Sequence, residues 1–580
     1  MGHSIILRDA FKGYTLDLDK IVSPGETVSR FRERLKTVNL DILKETVRID
    51  SGRLDIPVYF SVCGRDAEGV IGTKKQMGKG GTPRQAEASS LMELAERFSF
   101  FSFIQEQKNF FIERYENMGD RALAFELIAR SVHDDSSRLN AAREVFSRLP
   151  LKWTRAYNMT RKEDVFIPFD WFFAINQFNG PSAGNCMEEA VLQGVCEVVE
   201  RHVSSIISRG RLSTPHINLG SISDPLALEL VKRYRKAGIE LYVTDFSLDT
   251  GISSVGVLAY DPSTFPRKSE IVWTAGTTPD PQKALIRALT EVAQLAGDFN
   301  SGSNYVASGL PKFRDLEKAG YVMSAGTKVD ISSLPDLSHD NIRVEVENCI
   351  AALARLGMEV IVVDVTHPGL QIPACYVIIP GAHFRERAAG TSVGMFSAKL
   401  IAESSDPEWA VQELEKVDKL LPGKYYTSFF LGMSHIALGQ PLKALGYLER
   451  ALGLDPEQQD LPSIYSYLGI CLKELGRYRE AIEALEEAEK HDRERTDIYN
   501  LMGFCYFKLK EHEKAIECFN MALKLNPASA IDYANIASNY RDMGEREKAV
   551  DYYRIALDLD PTIDFARENL QRLEKEGGSG

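Results

Sequence analysis

The sequence predicts a mixed α/β body, α+β in arrangement, over residues 1–400 and an all-α repeat solenoid over residues 425–575, with a linker or helix at 401–424 between them. Two observations predict this. Strand-like apolar runs ("IPVYFSV", "SSVGVLAY", "EVIVVDV", "ACYVIIP") alternate with helical segments in the first 400 residues, the pattern of a body with sheets covered by helices. From about Tyr425 onward the chain becomes self-similar: Gly432, Gly469, Gly503 and Ala537 recur at steps of 37, 34 and 34 residues.

At 580 residues the chain is too long for one core, and domains of about 100–200 residues suggest three or four compact units. Hydrophobic residues make up 44% and charged residues 26%, which places it in the ordinary globular class. A net charge of −13 argues against a nucleic-acid partner, which would need a dense basic face. Eight scattered cysteines without a CxxC pair read as reduced, buried thiols. Arg8, Asp9 and Lys12 interrupt the first apolar stretch, and no run reaches the roughly 18 apolar residues a membrane span needs. The expectation is a cytoplasmic protein with no membrane partner. The final GGSG is set aside as a flexible end.

In the repeat region, Ala444, Ala481, Ala515 and Ala549 recur in register with the glycines, as do Ala451, Ala488, Ala522 and Ala556. The third copy, with Tyr499, Met502, Gly503, Tyr506, Ala515, Phe519 and Pro527, follows the tetratricopeptide (TPR) pattern, giving about four repeats. Small residues let the two helices of a unit approach and large ones wedge between units. Such a stack presents a groove that docks a partner, or else packs the body or a second copy as a homodimer contact.

Three helical segments of the body carry one polar stripe each. At about 100° per residue, Gln85, Ser89, Glu93 and Glu96 share a face; so do Glu189, Gln193, Glu197 and Glu200; and so do Arg287, Glu291 and Gln294. Asp280 and Pro281 read as N-cap and first residue of the third helix. The second helix is otherwise largely apolar and wants burial. Glutamates along a buried line meet desolvation and mutual repulsion unless cations face them. Arg97 and Arg201 answer part of this, each closing an ExxER (Glu93, Glu96, Arg97; Glu197, Glu200, Arg201), and the remaining charge suits Mg²⁺ with a polyphosphate. The alternative is three ordinary amphipathic helices whose ion pairs lie on solvent, each contributing about 0.3–0.5 kcal/mol. No GxxxxGK[ST] occurs, and Gly78-Lys79-Gly80-Gly81 is too short to cradle phosphate alone.

The stretches "GKGGTPRQAEASSLMELAERFS", "NGPSAGNCMEEAVLQGVCEVVERH", "DPQKALIRALTEVAQ" and "VIVVDVTHPGLQIPACYVIIPG" resemble the YcaO family. The resemblance implies ATP and Mg²⁺ bound in a fold without a P-loop, and phosphorylation of a peptide-bond oxygen followed by addition of a nucleophile. A side-chain nucleophile gives an azoline and an external sulfur source a thioamide. By similarity, SxxxExxER falls on Ser89, Glu93, Glu96 and Arg97, and a second motif on Ser182, Asn185, Glu189, Gln193, Glu197, Glu200 and Arg201. The glutamates, with Glu291, would hold Mg²⁺ or orient its waters. Lys79, Ser89, Arg97, Ser182, Asn185, Gln193, Arg201, Arg287 and Gln294 would contact ATP.

Azoline-forming members often finish in a PxP tail, whereas this chain continues into repeats and its PxP is Pro279-Asp280-Pro281. That puts thioamidation, or an accessory role in sulfur-dependent modification, ahead of cyclodehydration. The expected partners are a peptide or protein substrate and a sulfur-delivery or accessory protein at the repeat groove. The competing reading is a non-catalytic nucleotide-binding adaptor whose repeats recruit partners. No catalytic base is assigned; His202 and His367 qualify by chemistry alone.

Overall fold

A computed structural model describes residues 5–17, 19–72, 75–134, 136, 138–300, 309–324, 326–385 and 391–577; residues 578–580 of the terminal GGSG lie outside them. The chain forms two compact units. One takes residues 1–135 and 150–391, the other 136–149 and 392–580.

Among its described residues the first unit is built on three sheets. Strands β1 (Leu43–Arg48), β2 (Val58–Cys63) and β3 (Gln76–Lys79) form an antiparallel meander. A six-stranded sheet has the order β4 (Phe111–Glu113), β5 (Leu151–Asn158), β13 (Ile361–Asp364), β14 (Ala374–Ile378) and β7 (Pro181–Ala183), with β6 (Glu163–Pro168) also on β5. A five-stranded sheet runs β11 (Val272–Thr277), β10 (Ser254–Tyr260), β9 (Glu240–Asp245), β8 (His216–Ile217) and β12 (Lys328–Val329). The apolar runs singled out in the sequence are β2, β10, β13 and β14. The last three are buried along nearly their whole length, which is why they read as continuous apolar runs rather than alternating ones.

Five helices matter for the site: α1 (Pro24–Val38), α2 (Pro83–Gln105), α3 (Met187–Gly210), α4 (Pro281–Ala296) and α5 (Ile342–Arg355). Three of these helices pack chiefly on different sheets: α2 on β2 and β3, α3 on β7 and β14, and α4 on β10 and β11, with α2 also meeting β7 and β14. Glycines permit the closest of these approaches. A Cβ at Gly78 would collide with the Ser90 backbone, and one at Gly194 would come 2.5 Å from Val377 and 2.7 Å from Ser182 Oγ. The Gly78–Gly81 run therefore serves helix packing. Asp280 caps α4 by accepting from the Gln282 and Lys283 amides, with Pro281 in its first turn.

The stretch preceding α1 is tied to the unit by polar contacts. The Ala10 amide donates to Asn341 Oδ1 (3.0 Å), Lys12 Nζ reaches Asp19 (2.6 Å) and Glu345 of α5 (2.7 Å), and Lys283 Nζ donates to the Thr15 carbonyl (2.9 Å).

The second unit is helical. Four pairs follow one another, Tyr425–Ala437 with Pro441–Leu452, Leu461–Glu474 with Tyr478–His491, Thr496–Lys508 with His512–Leu525, and Ala530–Asp542 with Arg546–Leu559, before a final helix at Asp564–Gly577. The repeating glycines sit where the paired helices touch: a Cβ at Gly469 would lie 2.7 Å from Leu485 and one at Gly503 2.8 Å from the Phe519 ring. Among the described residues no helix is long and apolar enough to cross a membrane.

Candidate active site

Helix α2 starts at a cap dictated by its sequence, Thr82 Oγ1 accepting from the Gln85 amide at 3.2 Å with Pro83 at the first position. From that start, spacings of four, four and three residues carry Gln85, Ser89, Glu93 and Glu96 down one face. Helix α3 lacks a side-chain cap at Cys186. Glu189 in its first turn instead reaches back to accept from the Asn185 amide (3.0 Å) and Asn185 Nδ2 (2.9 Å), while its other oxygen accepts from the Ile21 amide (2.8 Å). Glu189 thus holds the N-terminal stretch against the start of α3.

The three polar stripes converge on one cavity of about 480 Å³. Lys79, Ser89, Glu93, Glu96 and Arg97 enter from β3 and α2; Asn185, Glu189, Gln193, Glu197, Glu200 and Arg201 from α3 and the turn before it; Arg287, Glu291 and Gln294 from α4. Of the residues expected at the site, Ser182 alone does not line it. Its buried hydroxyl donates to the Ala190 carbonyl at 2.7 Å and lies 3.3 Å from Cys375 Sγ, so it joins strand to helix.

Each arginine is tied to its own ExxER. Arg97 Nε lies 3.0 Å from Glu93 and 3.4 Å from Glu96. Arg201 lies 3.4 Å from Glu200 and 3.9 Å from Glu197. Arg287 crosses between helices, donating to Gln193 Oε1 at 2.6 Å with its Nε 3.3 Å from Glu200 Oε2. Lys79 pairs with Glu291.

Burial pushes Glu96 well above the usual carboxylate range, and the Glu93 charge adds to it. Glu197 is also raised by burial, against the pull of Arg201, Arg97 and Arg287. Burial, with Arg287 next, lowers Lys79 to about 7. Burial opposes the charge of Arg97, yet Glu93, Glu96 and Glu197 outweigh it and hold the guanidinium more firmly protonated than usual.

The sequence suggested a lining with carboxylate in excess. The structure corrects that. Lys20 and Lys75 join Lys79, Arg97, Arg201 and Arg287, so that among the described residues six cations face the six glutamates. A lining with both signs suits a metal polyphosphate, which presents cation and anion together. Among the described residues no three His, Cys, Asp or Glu side chains form a ready metal cluster; Mg²⁺ is commonly held by one or two carboxylates, with water and phosphate completing its shell. Glu200 Oε2 supports the fit: it is buried without a hydrogen-bond partner, since Arg287 Nε approaches it but is not aligned to donate.

Tyr14, Lys20, Thr27 and Lys75 also line the cavity and were not singled out in the sequence. They lie outside the three stripes, and nothing in their spacing marks them. Neither His202 nor His367 lines it. His202 Nδ1 accepts from the His383 amide at 3.0 Å, and His367 faces a separate cleft.

The fold and cavity define a protein with a P-loop-free pocket of mixed charge and a tetratricopeptide tail. The chain belongs to the YcaO family. The family profile described as YcaO cyclodehydratase, ATP- and Mg²⁺-binding, matches residues 77–383, and three tetratricopeptide profiles match residues 426–494, 496–529 and 533–563. An uncharacterized protein of Methanothermobacter thermautotrophicus is 26% identical over 381 residues, 62% of this chain and 94% of that protein. The ribosomal protein S12 methylthiotransferase accessory factor YcaO of Escherichia coli is 25% identical over 450 residues, 68% of this chain and 72% of that protein. Among solved structures, a heterocyclase in complex with substrate and cofactor shares the fold at a TM-score of 0.54 and 24% identity, covering 66% of this chain and 55% of that one. This chain thus spans about half the heterocyclase. YcaO of Methanopyrus kandleri bound with AMPPCP and Mg²⁺ shares the fold at a TM-score of 0.50 and 23% identity, covering 66% of this chain and 99% of that one.

Proposed function

We propose that the first unit binds Mg²⁺-ATP in the three-helix cavity and uses it to activate a backbone amide of a peptide or protein. The observation that carries this reading is the convergence of both ExxER motifs and Arg287 on one cavity. In this reading Glu93, Glu96, Glu197, Glu200 and Glu291 hold Mg²⁺ or its waters. Glu189, whose oxygens already serve the Ile21 and Asn185 amides, acts on metal only through the position it gives α3. Lys79, Ser89, Arg97, Asn185, Gln193, Arg201, Arg287 and Gln294 bind ATP or position the groups that do.

Mg²⁺ supplies charge neutralisation as phosphate transfers. The residues of the chain do the rest: the arginines, held by their glutamates, would present donors toward phosphate oxygen without reorganising. The amide oxygen attacks the γ-phosphorus and ADP leaves; a nucleophile then adds to the activated carbon, and phosphate departs with the former amide oxygen. Sulfide as nucleophile gives a thioamide, and a Cys, Ser or Thr side chain an azoline. We favour the sulfur-dependent outcome, with the repeat groove recruiting the substrate or a sulfur-delivery partner.

Calorimetry of ATP binding with and without Mg²⁺, on the wild type and on Glu197→Gln, tests the reading. Mg²⁺-dependent binding that weakens tenfold or more in the variant, about 1.4 kcal/mol, is the expected result. A folded wild-type protein that fails to bind Mg²⁺-ATP overturns the reading and leaves the adaptor, in which the repeats alone carry function.

A further inference from the structure

The segment ahead of α1 lies outside residues 77–383, the part of the chain that the family profile matches, yet it reaches the three-helix cavity, which Tyr14, Lys20 and Val22 help to line. Three features define what this segment contributes there.

The first is its shape. Tyr14 and Lys20 face each other across a turn: the Tyr14 amide donates to the Lys20 carbonyl at 3.0 Å, and the Lys20 amide to the Tyr14 carbonyl at 2.9 Å. Gly13 permits this close return, since a Cβ there would lie 2.5 Å from the Ile21 carbonyl oxygen. The pair Gly13-Tyr14 thus sets a half-buried aromatic ring at a fixed point of the cavity wall.

The second is the way the turn is held. Lys12 Nζ joins Asp19 (2.6 Å) to Glu345 of α5 (2.7 Å). Lys283 Nζ of α4 donates to the Thr15 (2.9 Å) and Leu16 (3.2 Å) carbonyls and to Asp224 Oδ2 (3.1 Å). These two lysine side chains are only 5% and 8% exposed. An ammonium withdrawn from water is unfavourable unless it is paired and hydrogen-bonded, and both find their partners with the turn in this place. The Tyr14 hydroxyl donates to Asp17 Oδ2 (3.4 Å), which also accepts from Thr82 Oγ1 (3.1 Å), the cap of α2. The ring is therefore tied to the start of α2 and, through Lys283, to α4.

The third is the end of the cavity at which the ring lies. From Gln85 to Glu96 the stripe on α2 extends about 16 Å, at 1.5 Å per residue. Its first two members, Gln85 and Ser89, are neutral; Glu93, Glu96 and Arg97 stand at the far end, where Glu197 of α3 adds its charge to theirs. Tyr14 belongs to the near end, beside Thr82 and close to Ile21, whose amide meets Glu189 in the first turn of α3. Val22, Pro24, Ala88 and Ala183, all near these residues in sequence, line the wall there. The Glu189 carboxylate already occupies the start of α3 and repels phosphate from it. The triphosphate thus belongs with the arginines at the far end, and the nucleoside, with its flat apolar faces, at the near one.

We propose that Tyr14 is the side chain against which the base of the bound nucleotide stacks, and that Lys283 is a positioning residue that keeps it there. The inference rests on the proposed function, in which the cavity takes Mg²⁺-ATP. It divides nucleotide binding between two parts of the chain: the helices hold phosphate and metal, and the segment before α1 holds the base.

The test is calorimetry of the full chain with two probes, Mg²⁺-ATP and Mg²⁺-tripolyphosphate, on the wild type, Tyr14→Ala, Tyr14→Phe and Lys283→Met. Tyr14→Ala is expected to bind Mg²⁺-ATP about tenfold more weakly, the loss of one stacking contact, and Mg²⁺-tripolyphosphate as the wild type does. Tyr14→Phe keeps the ring and should stay close to the wild type with both. Lys283→Met is expected to weaken Mg²⁺-ATP binding likewise and to speed amide hydrogen exchange at Tyr14 and Lys20. The two Tyr14 variants decide the matter should Lys283→Met fail to fold, and their contrast with Mg²⁺-ATP suffices should tripolyphosphate bind too weakly to follow. Undiminished Mg²⁺-ATP binding in Tyr14→Ala overturns the proposal; so does an equal loss for both probes, or a loss in Tyr14→Phe as large as in Tyr14→Ala. Unchanged exchange in folded Lys283→Met overturns the positioning role. A wild type that binds neither probe sinks the proposed function and this inference with it, whereas a wild type that binds Mg²⁺-ATP whatever stands at position 14 sinks this inference alone.

Discussion

Arg287 lies with its Nε 3.3 Å from Oε2 of Glu200, and the pair joins two helices that no local sequence pattern connects. Both side chains are largely buried, 16% and 6% exposed. Removing one partner leaves a buried charge with less to answer it. Arg287→Met and Glu200→Gln are each expected to lower stability by about 1–3 kcal/mol, and the double variant to cost less than the sum. Urea unfolding of the four proteins measures the coupling. Additive costs would mean that the two groups do not sense each other.

Glu189→Ala removes the acceptor of the Ile21 and Asn185 amides. Partly buried donors left without a partner cost up to about 1–3 kcal/mol. Hydrogen exchange is expected to accelerate at Ile21 and Asn185 and to change little in β10 and β11. Unchanged exchange at Ile21 would show that the N-terminal stretch does not depend on this carboxylate.

His133 and His383 stack with ring centroids 3.9 Å apart and 4° between planes, and His202 lies 5.3 Å from His383. Burial pushes His383 down to about 4, with His133, His202 and Arg209 adding in the same direction, and lowers His133 as well. Above about pH 6.5 these rings are neutral in both folded and unfolded chains. As pH falls from 6.5 toward 4 the unfolded chain takes up protons that the folded one refuses, so stability falls with acidity across that window. The denaturant midpoint of the wild type is expected to drop between pH 7 and pH 5, and that of His383→Asn to drop less. An equal drop in both would exclude the stack as the source.

Gly503 faces the Phe519 ring, and a Cβ there would lie 2.8 Å from it. Phe519 is itself buried and has little room to yield. Gly503→Val is expected to lower the thermal transition of the helical unit through overpacking of about 1–3 kcal/mol, followed by circular dichroism. Mg²⁺-ATP binding should be unaffected. An unchanged transition would mean that the helices tolerate wider spacing there.

How much of this was legible in the sequence differs element by element. The repeat helices were, because Gly432, Gly469 and Gly503 mark contacts between neighbours in sequence, and a local contact leaves a local period. Helices α2, α3 and α4 were too: Asp280-Pro281 announces the start of α4, and the 3.6-residue stripe places Ser89 to Glu96, Glu189 to Glu200 and Arg287 to Gln294 on single faces. Ser182 shows the limit of a motif. Its position beside the others suggested a ligand contact, yet a strand alternates sides, and its hydroxyl points to the Ala190 carbonyl instead of the cavity.

What only the tertiary structure decided is which stripes meet and what balances them. Periodicity reports the face a residue occupies but not what lies opposite, and so the sequence by itself determined six glutamates with too few cations. Bringing the N-terminal stretch and the segment before β3 to the same cavity adds Lys20 and Lys75 to the cations expected there, and turns an acidic line into a site of mixed sign.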